Sequence, residues 1–153
     1  MIPPELINDK TYLISGGIAD NNKFEMYAAS QGVTGLQIDN SIIAPPKFHK
    51  NMGFINSTLS GKDDSKNTSL KTLIKKAPKR KKLFLKLDIE GGEIEALEST
   101  PVSILKRIDC LVIEIHNLSS ITEKGCKIPK LLKNLSRSGL RPIYLQSNNA
   151  CLS

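Results

Sequence analysis

An apolar strand that runs into an acidic turn occupies residues 83–93, which read LFLKLDIEGGE. Leu83 to Asp88 is the predicted strand. A helix is predicted from Glu93 to Ser99, because Ile94 and Leu97 recur at the spacing of one inward-facing helical side. A buried strand followed directly by a helix is the repeating unit of a parallel sheet covered by helices. The stretch therefore predicts an α/β fold.

The rest of the chain alternates apolar runs with helical periodicity in the same way. Further strands are predicted at 11–15, 35–39, 54–59, 109–116 and 142–145. We expect strand 109–116 at the centre of the sheet, because it is the most apolar of the six. The polar residues 60–69, which read SGKDDSKNTS, are expected to form an exposed loop.

Four helices accompany these strands in addition to the one that begins at Glu93. They are predicted at 22–31, 69–77, 102–107 and 128–139, the last ending at Gly139. Phe24, Tyr27 and Ala28 are expected to face inward from the first helix. Ile128, Leu131, Leu132 and Leu135 give the last helix a clear apolar side.

The composition is that of an ordinary globular protein, with 39% apolar and 24% charged residues among 153. This length fits one domain covering 1–153. No apolar run approaches the roughly 20 residues that span a bilayer, and the N-terminal residues lack the pattern of a secretory signal. We therefore expect a cytoplasmic protein. The three cysteines have neither disulfide nor zinc-site spacing, so no structural metal is predicted.

Polar residues at the carboxyl ends of the strands are the candidates for function, because open α/β sheets bind ligands there. The first strand is followed by Ser15, Gly16, Gly17 and Asp20. The two glycines let the backbone pass close to a ligand. Asp39 ends the second strand, about 20 residues further on, where a carboxylate can accept hydrogen bonds from a ribose. This pairing predicts a cofactor that contains adenosine.

The loop after the first strand also excludes several nucleotide cofactors. It reads SGGIADNN, without the GxGxxG fingerprint that cradles a dinucleotide pyrophosphate, and the GxxxxGK[ST] phosphate loop is missing from the chain. NAD, FAD and nucleoside triphosphates are therefore disfavoured. A cofactor without phosphates, S-adenosylmethionine, fits the loop better.

An acid–base cluster is predicted where the fourth and fifth strands end. Strand alternation directs Asp88 and Glu90 to one side, and His116 ends the fifth strand. His116 is the natural general base, since its ordinary pKa lies near neutrality. Asp88 is the alternative, and Asp88 with Glu90 could also hold Mg²⁺ through oxygen ligands. Glu93 is interpreted as a helix-dipole partner. The structural alternative for His116 is a histidine that caps nearby backbone groups.

The acidic run Asp88-x-Glu90-Gly91-x-Glu93 resembles the hallmark of FkbM-type methyltransferases. The segment 14–18 with Phe24-Glu25 is similar to the cofactor loop and helix of that family, and 112–116 is similar to its fifth strand. Asn148-Asn149 resembles its late paired asparagines. These ordered matches extend from about residue 12 to 149.

The resemblance implies a Rossmann-like, doubly wound, mostly parallel sheet of the class I methyltransferase type. It implies S-adenosylmethionine as cofactor and a hydroxyl group of a sugar, lipid or small metabolite as acceptor. By position, Gly16, Gly17 and Asp39 would hold the cofactor. Asp88, Glu90 and His116 would line the reaction site.

The chain departs from this family pattern at its end. The usual sheet has seven strands, and no segment remains for the seventh. We therefore expect a fragment, a shortened relative, or a domain completed by a partner. An unpaired sheet edge predicts a homodimer.

Two other functions stay open. A nucleic-acid methyltransferase would use the basic cluster from Lys75 to Lys82. That cluster lacks interleaved aromatic residues, so nucleic acid is the less favoured partner. The other is a non-catalytic remnant that binds cofactor or serves as a scaffold.

Overall fold

The computed structural model describes residues 4–116 and 125–146. The strands are β1 (Thr11–Gly16), β2 (Thr34–Ile38), β3 (Met52–Ile55), β4 (Thr58–Ser60), β5 (Asn67–Ser69), β6 (Lys82–Leu87) and β7 (Cys110–Ile113). The helices are α1 (Lys23–Ser30), α2 (Leu70–Lys76), α3 (Glu93–Glu98), α4 (Val102–Leu105) and α5 (Ile128–Ser138), preceded by a 3-10 turn at Pro4–Leu6.

The central sheet has five parallel strands in the order β3-β2-β1-β6-β7. From β1 the chain first winds outward through β2 and β3, and then returns to continue on the other side with β6 and β7. The strand order therefore reverses between β1 and β6, which is where doubly wound sheets bind their ligands. This is the Rossmann-like α/β architecture that the sequence predicts.

The two faces of the sheet carry separate apolar cores. Leu13 and Phe84 are paired across β1 and β6 and pack against α1 on one face. Ile14 and Leu85, the next residues in each strand, face the opposite way and pack with α2 to α5. All four side chains are essentially fully buried. Because both faces are covered, the two central strands read as continuous apolar runs.

The part of the sheet beyond β6 differs from the predicted strand arrangement. The strand predicted at 109–116 is shortened to β7, and it is the outermost strand of the described sheet instead of a central one. Val112 on this strand is 39% exposed. The strand predicted at 142–145 is wrong, because this segment pairs with no described strand and its apolar side chains face solvent. The predicted homodimer across the open edge stays a prediction.

The third predicted strand, 54–59, is split in two. Its first half lies in β3, and its second half leaves the sheet as β4 to pair in parallel with β5. The loop expected at 60–69 is therefore partly ordered. Asp63 accepts hydrogen bonds from the Ser69 amide (2.8 Å), the Ser69 hydroxyl (2.7 Å) and the Thr72 hydroxyl (2.8 Å). Ser69 in turn caps the first turn of α2.

Two helices show which apolar positions periodicity misjudges. In α1, Tyr27 was expected inside but is 58% exposed, whereas Glu25 is only 1% exposed. In α5, Ile128 and Leu131 are buried as predicted, and Leu132 is half exposed. Among the described helices, none has the length and apolar character needed to cross a membrane.

Two strand glycines allow a test of this packing. A Cβ on Gly35 of β2 would overlap the Leu13 carbonyl oxygen of β1, which cannot move without opening the sheet. A Cβ on the exposed Gly53 of β3 would be too close only to the terminal Leu36 Cδ2, at 2.7 Å, and this methyl group can rotate away. We expect Gly35→Ala to lower the free energy of unfolding by about 1–3 kcal/mol, and Gly53→Ala by about 0.5 kcal/mol or less. Urea unfolding measures both, and equal losses would contradict the packing described here.

Candidate functional site

A cleft of about 670 Å³ opens at the carboxyl ends of β1, β2 and β6, at the point where the strand order reverses. Its walls are the loop between β1 and α1, the residues after β2, the start of β4 and the turn after β6. This volume is suited to a small-molecule cofactor. Five of the predicted site residues line the cleft, namely Gly17, Asp20, Asp39, Asp88 and Glu90.

Gly17 is where the two halves of the sheet meet. Its φ of +76° is unfavourable for other residues, and a Cβ there would overlap the Asp88 carbonyl oxygen. The Gly17 amide donates to the Ile38 carbonyl (3.0 Å), and the Asp88 amide donates to the Gly16 carbonyl (3.0 Å). The glycine pair therefore joins the loop after β1 to the turn after β6. This close backbone approach is between two protein segments, beside the cleft.

Asp39 holds that loop in place with its carboxylate. Oδ2 accepts from the amides of Ile18 (2.9 Å) and Ala19 (2.8 Å), and Oδ1 accepts from the Ser41 amide (2.7 Å) and hydroxyl (2.6 Å). Burial alone would raise the pKa of Asp39, but these hydrogen bonds outweigh it and lower the pKa. A carboxylate has about four acceptor positions, so a ribose would have to share or replace the Ser41 contacts. Binding of ribose by Asp39 stays a prediction.

A partly buried ion pair lies under the glycine loop and is missed by the sequence analysis. Ser15 on β1 is paired with Lys86 on β6, and both face α1. The Ser15 hydroxyl donates to Glu25 Oε1 (2.6 Å), Lys86 Nζ lies 3.5 Å from the same oxygen, and Lys86 also donates to the Gly17 carbonyl (3.3 Å). Glu25 and Lys86 both line the cleft. The available signal was a lysine within an otherwise apolar strand, on the same side as Asp88.

Glu93 belongs to the site although the sequence analysis does not include it there. Its interpretation as a helix-dipole partner does not predict that the side chain is fully buried. Its Oε1 accepts from the amides of Ile89 (2.9 Å) and Gly91 (3.3 Å) and lies 2.9 Å from His116 Nδ1. The carboxylate therefore closes the turn after β6, in which Glu90 and Gly91 have positive φ, and fixes the His116 ring.

Asp88, Glu114 and His116 form an acid–base cluster behind this turn. Their ligand atoms all lie within 4.8 Å of one another, which is close enough to share one cation. Glu90 is 87% exposed and its Oε2 lies 3.4 Å from His116 Nε2. The predicted trio of Asp88, Glu90 and His116 is thus brought together, and Glu114 joins it.

Burial and neighbouring charges shift two pKa values in this cluster. Burial raises the pKa of Asp88, the negative charges of Glu114 and Glu90 add to the rise, and Lys86 and His116 oppose it. Burial lowers the pKa of His116, but the hydrogen bond and charge of Glu93 and the charges of Glu90 and Glu114 outweigh it. The net pKa of His116 is therefore raised.

The basic cluster 75–82 lies at the other end of the sheet. It covers the end of α2 and the turn before β6, whereas the cleft extends along β6 only as far as Lys86. Four residue steps along β6 separate Lys82 from Lys86 by about 13 Å. A nucleic-acid substrate held by this cluster would therefore have to extend across that distance to place a base in the cleft.

His116 gives a pH-dependent test of the cluster. Its raised pKa means that the protonated ring stabilises the fold, a contribution that is present below pH 6.5 and is lost as pH rises through the higher folded pKa. In a ¹H NMR titration we expect the midpoint of His116 to lie above 6.5. Glu93→Gln should lower it markedly, and Glu90→Gln should lower it less, because Glu90 is exposed. His49→Gln assigns the signals, and a larger effect of Glu90 would contradict this geometry.

Comparison with known proteins identifies the family of the chain. The family model of the methyltransferase FkbM domain matches residues 7–138, which is most of the chain. No curated protein and no solved structure matches the chain. Since this match includes the glycine loop, the cleft and the acid–base cluster, the chain belongs to the FkbM methyltransferase family.

Proposed function

We propose that this methyltransferase uses S-adenosylmethionine to methylate a hydroxyl group of a sugar, lipid or small metabolite. The observation that carries the proposal is the set of residues that line the cleft. One cleft joins the loop held by Asp39 to Asp88, whose pKa is raised toward the range of a general base. The acceptor class rests on the family resemblance, and the cleft supports it by offering a carboxylate to an alcohol.

When bound, S-adenosylmethionine supplies an electrophilic methyl group. The acceptor oxygen must approach in line with the bond that breaks, so positioning supplies much of the rate. As the new C–O bond forms and the C–S bond breaks, the hydroxyl proton has to leave. We assign its removal to Asp88, which lines the cleft.

His116 is better suited to support Asp88 than to act as the base itself. It does not line the cleft, and Glu93 engages its Nδ1. Its raised pKa increases the protonated fraction near neutral pH, and a protonated ring cannot accept a proton. A protonated His116 close to Asp88 favours the carboxylate form of Asp88. Glu90, exposed at the rim, is available to the acceptor substrate.

A bound Mg²⁺ is the alternative way to acidify the hydroxyl. Asp88, Glu114 and His116 would hold it, and the ion would lower the pKa of a coordinated alcohol. The raised pKa of His116 disfavours this alternative at neutral pH, because a metal binds only the deprotonated ring. We therefore favour Asp88 as a metal-independent base.

Calorimetry with S-adenosylmethionine tests the cofactor assignment. The wild-type chain should release or absorb heat with one binding site, and Asp39→Ala should weaken binding at least about tenfold, because it frees the loop at 18 and 19. Asp9→Ala, an exposed change at the opposite end of β1, is the matched control. No binding by the wild type would leave the non-catalytic scaffold as the better account.

Asp88→Asn tests the catalytic assignment. With a panel of sugar and lipid alcohols, the wild type should produce S-adenosylhomocysteine, and Asp88→Asn should reduce the rate about 100-fold or more while it still binds cofactor. Chelation with EDTA should leave the wild-type rate unchanged. A rate that EDTA abolishes and Mg²⁺ restores would instead assign Asp88 to a cation.

A further inference from the structure

The pair of buried Glu25 and partly buried Lys86 has unused hydrogen-bonding capacity. An ammonium has three donors, and the described residues provide Lys86 Nζ with two acceptors, Glu25 Oε1 and the Gly17 carbonyl. Glu25 Oε1 is shared by Ser15 and Lys86. Both of these contacts are made by Oε1, and Glu25 Oε2 has no hydrogen bond within the described part of the chain. Both residues line the cleft, so the unused donor and acceptor belong to its wall.

Stability alone does not explain this pair. Removing two charges from water costs more than their attraction returns in many proteins, and apolar replacements are often neutral or stabilising. The preceding positions on the same face, Leu13 and Phe84, are such apolar residues and are fully packed. Lys86 and Glu25 follow these residues on the same face and line the cleft. Binding of a charged ligand therefore explains their presence better than stability does.

We propose that Lys86 and Glu25 bind the amino-acid end of the cofactor, Lys86 through its α-carboxylate and Glu25 through its α-ammonium. This inference rests on the proposed use of S-adenosylmethionine. An α-amino acid carries both charges on one carbon, and the protein presents the opposite charges 3.5 Å apart. ATP, NAD and FAD contain adenosine but lack such a zwitterion.

The position of the pair in the cleft agrees with this role. The Gly17 carbonyl accepts from Lys86, and the next two residues, Ile18 and Ala19, donate to Asp39. The anchor for the amino-acid end and the segment expected to meet the nucleoside are therefore consecutive along one loop. Ser15 acts as a positioning residue, because its hydroxyl fixes Glu25 without lining the cleft.

A pair of ligands that differ only at this end tests the inference. S-adenosylhomocysteine carries the amino-acid end, and 5′-methylthioadenosine lacks it. By calorimetry we expect Lys86→Met to weaken S-adenosylhomocysteine about 10- to 100-fold, and to change 5′-methylthioadenosine less than about threefold. Lys82→Met, an exposed change at the start of the same strand, is the matched control and should alter neither.

A second variant controls for misfolding. This control is needed because Lys86→Met leaves the Glu25 carboxylate buried without a counter-charge. The double variant Glu25→Gln/Lys86→Met removes both charges and should show the same ligand-selective loss with a wild-type circular dichroism spectrum. An equal loss for both ligands, or no loss for S-adenosylhomocysteine, overturns the inference while wild-type binding still supports the cofactor. Failure of the wild type to bind either ligand overturns the proposed function as well.

Discussion

The backbone contact between Gly17 and the Asp88 carbonyl is the constraint on which the site depends. It brings the loop after β1 against the turn after β6, at the place where the sheet changes direction. With a side chain at position 17, these two segments would have to separate. Lys86 would then lose the Gly17 carbonyl, and Asp88 would move away from the cleft. Gly17 therefore sets the distance between the two segments that line the cleft on either side of β1 and β6.

Buried carboxylates fix the two segments on either side of that contact. Asp39 uses four hydrogen bonds to shape the loop, and Glu93 uses its Oε1 to close the acidic turn and orient His116. Charged acceptors bind amides about twice as strongly as neutral ones. Two irregular turns thus keep one shape although Ala19 and Glu90 have unfavourable positive φ values. Asp39, which the sequence pattern suggests for ligand binding, is thus also a residue that shapes the site.

Sequence periodicity predicted most of the sheet, because buried parallel strands leave continuous apolar runs such as 83–87. It failed where burial depends on distant partners. The segment 142–145 has a strand-like pattern, yet apolar alternation cannot show whether a neighbouring strand exists to pair with it. The apolar character of 109–116 likewise suggested the centre of the sheet for a strand that lies at its edge. For the candidate site, the strand-end rule predicted Asp39, Asp88 and His116, and the structure places all three after the carboxyl ends of strands. It missed Glu25, because only the folded helix brings that side chain under the loop.

The separation between the basic cluster 75–82 and the acidic cleft gives the molecule an electric dipole along its strands. With a net charge of +7, the protein as a whole repels cations, but the carboxylates at the mouth of the cleft create a local region of opposite potential. Low-dielectric walls focus such a field, so a positively charged ligand is steered toward the mouth and away from the opposite end. Added salt would screen this attraction and slow capture, while contacts deep in the cleft would keep their strength.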